Sequence, residues 1–310
     1  YYHIVYYHFN DEIAILKHML TQADIQHGID SIFKAIDETL SLWNPNSILS
    51  KVNDNKETLL NQIFIDNFNS AMAFSALTDG DFDITVAPLI KAYGFANEKG
   101  NKPTDRQTDS LLQYIGYKKV QIKNGILGKQ HPQTQLDFNA IAQGYTTDCI
   151  SRYLNDHNIN SHIVDVGGEV YASSKKPDGQ QWRVAIEQPC DSLNAPRQYN
   201  TLIKLENQSV VTSGNYRKYT IENGIKYPHT INPHTGKPVK HTLLSVSVVA
   251  STSTEADALA TAFMVMGMEK AEQFIAKHPQ YQAVFIYCDK DGKTKTKVSQ
   301  ALQPKIETIN

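Results

Sequence analysis

The sequence predicts an α+β fold, in which helices pack on mixed or antiparallel sheets. Two Asn-Gly pairs, at 124–125 and 223–224, each separate two β-like stretches and are typical of tight hairpins. Runs of strands are mixed with segments in which apolar residues have helical spacing. This arrangement favours α+β over a doubly wound parallel sheet.

The composition is that of an ordinary globular protein with a sizeable core, at 310 residues, 41% hydrophobic and 20% charged. We expect one domain over 1–310 that can be divided into subdomains, although two smaller domains would also fit this length. The net charge of −2 provides no overall basic field for nucleic acid or anionic lipid. Three cysteines without CxxC spacing indicate neither zinc nor a disulfide framework. No uncharged apolar run reaches the ~18 to 20 residues that span a bilayer.

The elements of the amino-terminal half follow from alternation and helical spacing. In order, the pattern predicts a strand over 2–9, a helix from Thr21 to the NPNS turn, a helix over 56–77 and a short helix in APLIKAYGF. The polar segment over 97–110 is predicted to be a surface loop.

From residue 117 onward the pattern changes to short strands with two helices among them. Strands are predicted over 117–122, 126–130, 161–166, 169–173, about 181–187, 202–206, 216–221, 225–231, 243–251, 281–289 and 294–299. Helices are predicted over 140–157 and from Thr252 to Gly267, where Thr252 and Glu255 have the spacing of a capping box.

The last of these helices carries two polar side chains among apolar ones. Asp257 and Thr261 lie four residues apart and therefore project from the same face. Two hard oxygens one turn apart could bind Mg²⁺, which takes few protein ligands and completes its shell with water and phosphate. Alternatively, Asp257 interacts with the positive end of its helix and Thr261 bonds back to a carbonyl.

Two neighbouring segments could handle an anion. In HTINPHTGKPV, His229 precedes a turn whose backbone amides could hold an anion, and a histidine there could act as a general base or simply be a surface residue. In TSGNYRKY, the hydroxyl of Ser213, the bare backbone of Gly214 and the guanidinium of Arg217 suit a diphosphate, although they also suit the ordinary start of a strand.

Three further features have both functional and structural interpretations. Gly167 and Gly168 let a ligand or strand approach closely, or mark a bulge. Asp137, between a strand and a helix, could bind ribose or adenine, or cap the helix. Aromatics in DGDFDITVAPLIKAYGF, together with Trp43, could stack on a flat ring system or belong to the core. The motifs GxGxxG, GxxxxGK[ST], HExxH and GxSxG are absent.

The order of these motifs carries a resemblance to a known family. DGDFDITVAPL, LDFNAIAQGY, VDVGGEVY, TSGNYRKY, HTINPHTGKPV and STEADALATA together resemble the ApbE family of FAD:protein FMN transferases, from about Ser41 to Gly267. The resemblance implies a T-fold-like architecture and an enzyme that binds FAD and Mg²⁺. Such an enzyme transfers FMN to a threonine hydroxyl of a partner flavoprotein and releases AMP. Acceptors in the family are subunits of membrane redox complexes such as sodium-pumping NADH:quinone reductase.

The resemblance also implies roles for individual residues. Asp257 and Thr261 match side-chain metal ligands, with the carbonyl of Ala140 as a third ligand, and His229 matches the histidine that activates the acceptor hydroxyl. The positions that match FAD contacts are Gly80, Asp81, Phe82, Asp137, Gln143 and Ile231, and Trp43 lies near the position of an aromatic residue that faces the flavin.

The chain departs from the family pattern at Asn139-Ala140 and at Gln143. Relatives commonly have a Gly pair or Ser-Ala followed by Lys or Glu, so a charged ligand contact becomes a neutral amide here. Two alternatives to transfer stay open, namely hydrolysis of FAD to FMN and AMP, and a flavin-binding lipoprotein without turnover. The resemblance further implies a periplasmic or exported lipoprotein, and the start YYHIVYYHF is typical of a processed chain.

Overall fold

The computed structural model describes residues 3–7, 22–56, 58–95, 102–189, 198–214, 219–222, 225–228 and 230–308. Within these ranges the helices are α1 (Gln22–Leu40), α2 (Ile48–Asn53), α3 (Gln62–Leu77), α4 (Ala87–Ala92), α5 (Asp105–Leu112), α6 (Ala142–Asp156), α7 (Ser253–Met266) and α8 (Met268–Lys277). Two short 3-10 helices cover Tyr117–Lys119 and Gln300–Lys305.

The strands are mostly in the second half of the chain, as the sequence predicts. They are β1 (His3–Tyr7), β2 (Val120–Lys123), β3 (Ile126–Lys129), β4 (His162–Val166), β5 (Glu169–Ser173), β6 (Trp182–Glu187), β7 (Tyr199–Leu205), β8 (Gln208–Gly214), β9 (Tyr219–Glu222), β10 (Ile225–Pro228), β11 (Ile231–Asn232), β12 (Lys237–Pro238), β13 (Leu243–Ala250), β14 (Gln282–Cys288), β15 (Thr294–Val298) and β16 (Ile306–Thr308).

One seven-stranded sheet organises the fold, in the order β1-β4-β5-β8-β13-β14-β15. A three-stranded sheet has the order β16-β7-β6, and three two-stranded hairpins are separate from both. The named ladders are antiparallel, and the one parallel pairing between described residues is an isolated bridge from Val86 to Gln135. The predicted α+β class is therefore confirmed.

The two faces of the large sheet have different coverings because strand residues alternate between faces. Val211 of β8 and Val248 of β13 pack with the core residues of α7. Val210 and Val249, their immediate neighbours in sequence, pack instead with the three-stranded sheet. The result is a helical layer, the seven-stranded sheet and a second sheet, in that order. That residues 1–310 form one domain stays a prediction.

The start of α7 follows the predicted capping box. The Thr252 hydroxyl accepts a hydrogen bond from the Glu255 amide at 3.2 Å, and the Glu255 carboxylate accepts one from the Thr252 amide at 3.3 Å. The helix ends at Gly267, whose φ of 76° lies in the region that favours glycine. The chain therefore reverses direction after β13, and α7 packs against the sheet to which that strand belongs.

Four helices differ from the sequence expectation. The predicted loop over 97–110 contains α5, which begins with a capping box between Thr104 and Gln107 that polar composition concealed. The short helices α2 and α8 were not predicted. The predicted helix over 56–77 begins only at Gln62, because the side chain of Asn61 caps it there.

Two tight turns explain glycines that the sequence analysis singled out. Asn124 and Gly125, with φ values of 51° and 74°, form the predicted turn between β2 and β3. Gly167 and Gly168 form the two-residue turn between β4 and β5, in continuous register, so the bulge interpretation is wrong. The other predicted Asn-Gly turn, at 223–224, lies outside the described residues, although β9 and β10 pair on either side of it.

No helix in the described ranges is long and apolar enough to cross a membrane.

Candidate active site

The site is centred on the contact between α6 and α7, which depends on Gly144. A Cβ atom on Gly144 would lie 2.3 Å from the carbonyl oxygen of Ser253 and 2.9 Å from Cβ of Asp257. Glycine therefore lets the two helices approach more closely than any other residue would. At this contact the Gly144 amide donates to Asp257 Oδ2 at 3.1 Å.

Asp257 is buried, at 4% exposure, and its surroundings disfavour a charge. Burial raises the pKa of its carboxyl to about 7, the Gly144 amide opposes that rise, and the neighbouring Asp148 carboxylate adds to it. The structural alternative placed Asp257 at the positive end of its own helix. Instead, Asp257 interacts with the amino-terminal end of α6, through the Gly144 amide. Among the described residues no lysine, arginine or histidine forms an ion pair with it.

Thr261 lies one turn further along α7, where the site opens towards the surface. Its hydroxyl lies 3.4 Å from the Ser213 hydroxyl of β8, within hydrogen-bond reach. Thr261, Ser213 and Gly214 are half-buried, whereas the α7 residues on either side of Thr261 are buried. The structure thus brings Asp257, Thr261 and Ser213 together at the edge of the core.

The contacts between α6 and α7 define a register between the two helices, which does not extend to Ala140. Asp148 contacts Ser253 and Gly144 contacts Asp257, so a step of four residues along α6 corresponds to a step of four, in the opposite direction, along α7. Residue 140 lies outside this register, because it belongs to the turn ahead of α6 and the N-cap residue Ile141 has a non-helical φ of −155° and ψ of −25°. Ala140 is half-buried and packs against the main core.

These groups fit a hard divalent cation. A buried carboxylate that forms no ion pair with a described residue, a hydroxyl and a backbone carbonyl are oxygen donors that Mg²⁺ accepts. In the part of the chain that the structure describes, no cluster of three or more His, Cys, Asp and Glu side chains could hold a metal ion. A site here would therefore depend on mixed oxygen donors and on ligand phosphate or water.

The DGDFD loop contributes a second buried aspartate, Asp81, at 3% exposure. Its Oδ2 lies 2.5 Å from Lys270 Nζ on α8, and its Oδ1 lies 3.3 Å from His234 Nε2. Gly80 packs directly against the His234 ring, since a Cβ there would lie 3.2 Å from Cε1. The carboxylate predicted to contact FAD is therefore held by two protein side chains.

The other residues of this loop are structural supports. Phe82 is buried in the main core, and its amide donates to the Thr78 hydroxyl. Asp83 accepts from the amides of Thr85 and Tyr117 at 2.7 Å each, and burial raises the pKa of its carboxyl although these donors oppose the rise. Hydrogen bonds to Thr78, Thr85 and Tyr117 thus fix the DGDFD loop to the residues around it.

The segment after His229 is a short hairpin pinned on several sides. Asn232 Oδ1 accepts from the amides of His234 and Thr235 at 2.9 and 3.0 Å. Gly236 packs against α5, where a Cβ would lie 2.6 Å from Thr108 Cγ2. Ile231 is buried at 6% exposure. His229 itself lies outside the described residues, as does Arg217, so their predicted roles stay predictions.

Asp137 and Gln143 occupy the approach to α6. Asp137 is buried, its Oδ1 accepts from the Asn139 amide at 2.7 Å, and burial raises the pKa of its carboxyl. It closes a turn ahead of α6, whose N-cap residue is Ile141, and so does not cap the helix. The amide of Gln143 lies against the exposed turn at Gly167, where a Cβ would lie 2.4 Å from its Nε2.

Trp43 is displayed on the surface at 56% exposure. Its loop is held by the Ser41 hydroxyl, which accepts from the amides of Trp43 and Asn44 at 3.2 and 3.1 Å. The indole therefore does not belong to the core, and its stacking role stays a prediction.

Four residues of this region were missed by the sequence analysis. Asp83 lies inside DGDFDITVAPL and His234 lies inside HTINPHTGKPV, whereas Asp148 lies in the predicted helix over 140–157, where its spacing of one helical turn from Gly144 was the available signal. Lys270 gave no signal, because its partner Asp81 is 189 residues away along the chain.

The fold and site define an α+β protein with a partly open, oxygen-rich site where two helices meet a sheet. Comparison with known proteins gives the family. The ApbE family matches residues 1–285, and the chain belongs to that family. The FAD:protein FMN transferase of Haemophilus influenzae is 31% identical over 93% of this chain and 85% of the relative. The Escherichia coli K12 protein of that name is 31% identical over 89% and 80%.

Solved structures agree in fold. The flavin transferase ApbE from Vibrio cholerae has a TM-score of 0.81 and 28% identity, covering 94% of this chain and 93% of its own. The Pseudomonas stutzeri flavinyl transferase ApbE in its apo form has a TM-score of 0.82 and 28% identity, with coverage of 94% and 90%. The predicted family is confirmed, and the relatives carry enzyme names.

Proposed function

We propose that this protein is a flavin transferase that moves FMN from FAD to a threonine hydroxyl of an acceptor protein, with Mg²⁺ bound and AMP released. The observation that carries the proposal is the buried Asp257 carboxylate, which has a backbone amide and a second carboxylate beside it but no ion pair with any lysine, arginine or histidine that the structure describes. Membership of a family whose relatives are named FAD:protein FMN transferase supports the proposal that FAD is the substrate and FMN the transferred group.

The acceptor we propose is a subunit of a membrane redox complex. We also propose that the chain acts in the periplasm or another exported location as an anchored lipoprotein.

The proposed cation ligands are the side chains of Asp257 and Thr261 and the carbonyl of Ala140. A cation there supplies charge neutralisation for a diphosphate, which is most of what phosphoryl transfer requires. Ser213 and Gly214 lie next to Thr261 at the open side, where a hydroxyl and a bare backbone can contact phosphate oxygens.

The reaction balances as a substitution at phosphorus. The acceptor hydroxyl oxygen forms a bond to the phosphorus on the FMN side, and the bond from that phosphorus to the bridging oxygen breaks. AMP leaves with the electron pair, and His229 takes the hydroxyl proton. A threonine hydroxyl is a weak nucleophile until a base accepts that proton, which gives the histidine a definite task.

The test is to incubate the full chain with FAD, Mg²⁺ and an acceptor domain, then to weigh the acceptor by mass spectrometry. An added FMN mass, lost when the acceptor threonine is replaced by alanine, supports the proposal. Free FMN and AMP without an adduct would instead identify a hydrolase. Unchanged FAD would identify a binding protein, and either result overturns the transferase.

A further inference from the structure

A second acidic residue, Asp148 of α6, meets the first turn of α7. Its Oδ1 accepts from the Ser253 amide at 2.8 Å, and its Oδ2 accepts from the Thr254 amide at 2.9 Å and the Thr254 hydroxyl at 2.6 Å. The first amides of a helix have no partner within the helix, and a carboxylate is favoured at that positive end. Asp148 therefore caps α7 from a different helix.

This contact adds to a cap that α7 already has. In the capping box at the start of α7, the side chains of Thr252 and Glu255 each accept a hydrogen bond from the other residue's amide. The amides of Ser253 and Thr254 have no partner in that box, and both donate to the carboxylate of Asp148. Since both oxygens of one planar group are used, the contact fixes α7 against α6 in position as well as in distance.

The capping is reciprocal. The start of α6 has no side-chain cap of its own at Ile141, and the Gly144 amide in its first turn donates to Asp257 of α7. Asp148 and Ser253 are 105 residues apart in sequence, and Gly144 and Asp257 are 113 residues apart. The two contacts lie one helical turn from each other. Together they define a single axial register between the two helices.

We propose that Asp148 is a positioning residue that sets this register and so holds Asp257 and Thr261 in place beside the start of α6. The inference rests on the proposed function, because Asp257 and Thr261 are two of the proposed cation ligands. Asp148 is not itself a ligand, since three donors from α7 already use its two oxygens. Its effect on the cation passes through the placement of α7.

The test measures Mn²⁺ affinity of the full chain by calorimetry in Asp148→Asn and Asp148→Glu. Asparagine offers one acceptor oxygen where two amides donate, and glutamate keeps the charge but moves it by one methylene. A positioning role predicts that both variants weaken Mn²⁺ binding by about 10-fold or more. The control is Asp156→Asn, which removes the same charge from the exposed end of α6 and is expected to bind as the unchanged protein does.

Wild-type affinity in Asp148→Glu would show that charge alone matters, and wild-type affinity in Asp148→Asn would show no role at all. Either result overturns the proposal. Hydrogen exchange of the Gly144 amide gives a readout that does not depend on metal. We expect it to quicken in Asp148→Asn relative to the other α6 amides, since its acceptor Asp257 moves with α7. If Asp148→Asn does not fold, Thr254→Val removes one donor and is expected to shift both measurements in the same direction.

Failure of the proposed function gives a different pattern. If the unchanged protein binds no Mn²⁺, the cation site is wrong whatever Asp148 does. In that case unchanged exchange at Gly144 in Asp148→Asn would also overturn the register role, and faster exchange would support it.

Discussion

Asp257 and Asp81 are two aspartates buried to nearly the same extent, at 4% and 3% exposure, with opposite electrical surroundings. Asp81 lies between Lys270 and His234, so the protein supplies the positive charge. Asp257 has one backbone amide and the carboxylate of Asp148 nearby, and burial raises its pKa to about 7. The difference teaches that the protein balances the charge of Asp81 with its own side chains, whereas no described lysine, arginine or histidine does so for Asp257.

The largest expected effect is on flavin transfer in Asp257→Asn. Asparagine can still accept from the Gly144 amide, so the fold is kept while the charge that would hold a cation is lost. We expect the rate of FMN addition to an acceptor domain to fall by at least about 100-fold. Mass spectrometry of the acceptor over time measures it, with Asp156→Asn as the matched charge change. A loss of less than threefold would remove the basis for distinguishing the two aspartates.

The next effect concerns the close approach that creates the junction. Gly144→Ala places a methyl group 2.3 Å from the Ser253 carbonyl, so the helices must move apart. We expect the free energy of unfolding to fall by about 1 to 3 kcal/mol, as measured by urea denaturation. Gly128→Ala is the control, since its Cβ would meet Gln121 at an ordinary 3.6 Å. Equal stability of the two variants would mean that the helix contact is looser than described.

A smaller effect is expected where the protein supplies its own cation. Lys270→Met leaves the buried Asp81 with His234 alone, but the lysine side chain is 57% exposed, so solvent screens part of the loss. We expect the free energy of unfolding to fall by about 1 to 2 kcal/mol, and by much less when Asp81→Asn is already present. The comparison pair is Lys297 with Glu272, where both side chains are exposed and Lys297→Met should cost less. Additive effects of Lys270→Met and Asp81→Asn would contradict the pairing.

The smallest expected effect is on the pH dependence of stability, and it comes from a buried histidine that the fold keeps neutral. His162 is fully buried, its Nε2 lies 2.8 Å from the Ser151 hydroxyl, and burial lowers its pKa from 6.5 although a hydrogen bond to the Ile159 carbonyl opposes the fall. The unfolded chain gains a proton below pH 6.5 that the folded chain does not, so stability present above that pH is lost as the pH falls. Between pH 7.5 and 6.0 we expect His162 to account for up to about 0.8 kcal/mol of lost stability.

Urea denaturation at the two pH values, in the unchanged protein and in His162→Gln, measures the loss of stability that is due to His162. The substituted protein should lose less stability on acidification, and His27→Gln, at an exposed position on α1, should behave like the unchanged protein. The same slope in all three proteins would mean that His162 is protonated in the fold.

Much of the fold could be predicted because its signals are local. The capping box at Thr252, the turn at Asn124 and the alternation in the second half of the chain each act over a few residues. The helix α5 was missed because its polar residues resemble a loop, and only the cap at Thr104 marks it.

The site could be predicted in part for the same reason. The spacing of Asp257 and Thr261 is local, and so is the glycine of α6 that admits the neighbouring helix. The partnership of Asp81 with Lys270 and that of Asp148 with Ser253 join residues more than a hundred positions apart. Such pairs follow from the packing of whole elements, which no single segment encodes.

The most direct test of the contrast between the two aspartates is calorimetric titration of Mg²⁺ into the unchanged protein, Asp257→Asn and Asp81→Asn. A cation site at Asp257, which forms no ion pair with a described residue, predicts one binding site in the unchanged protein, loss of that site in Asp257→Asn and its retention in Asp81→Asn. Equally tight binding by Asp257→Asn would contradict the account.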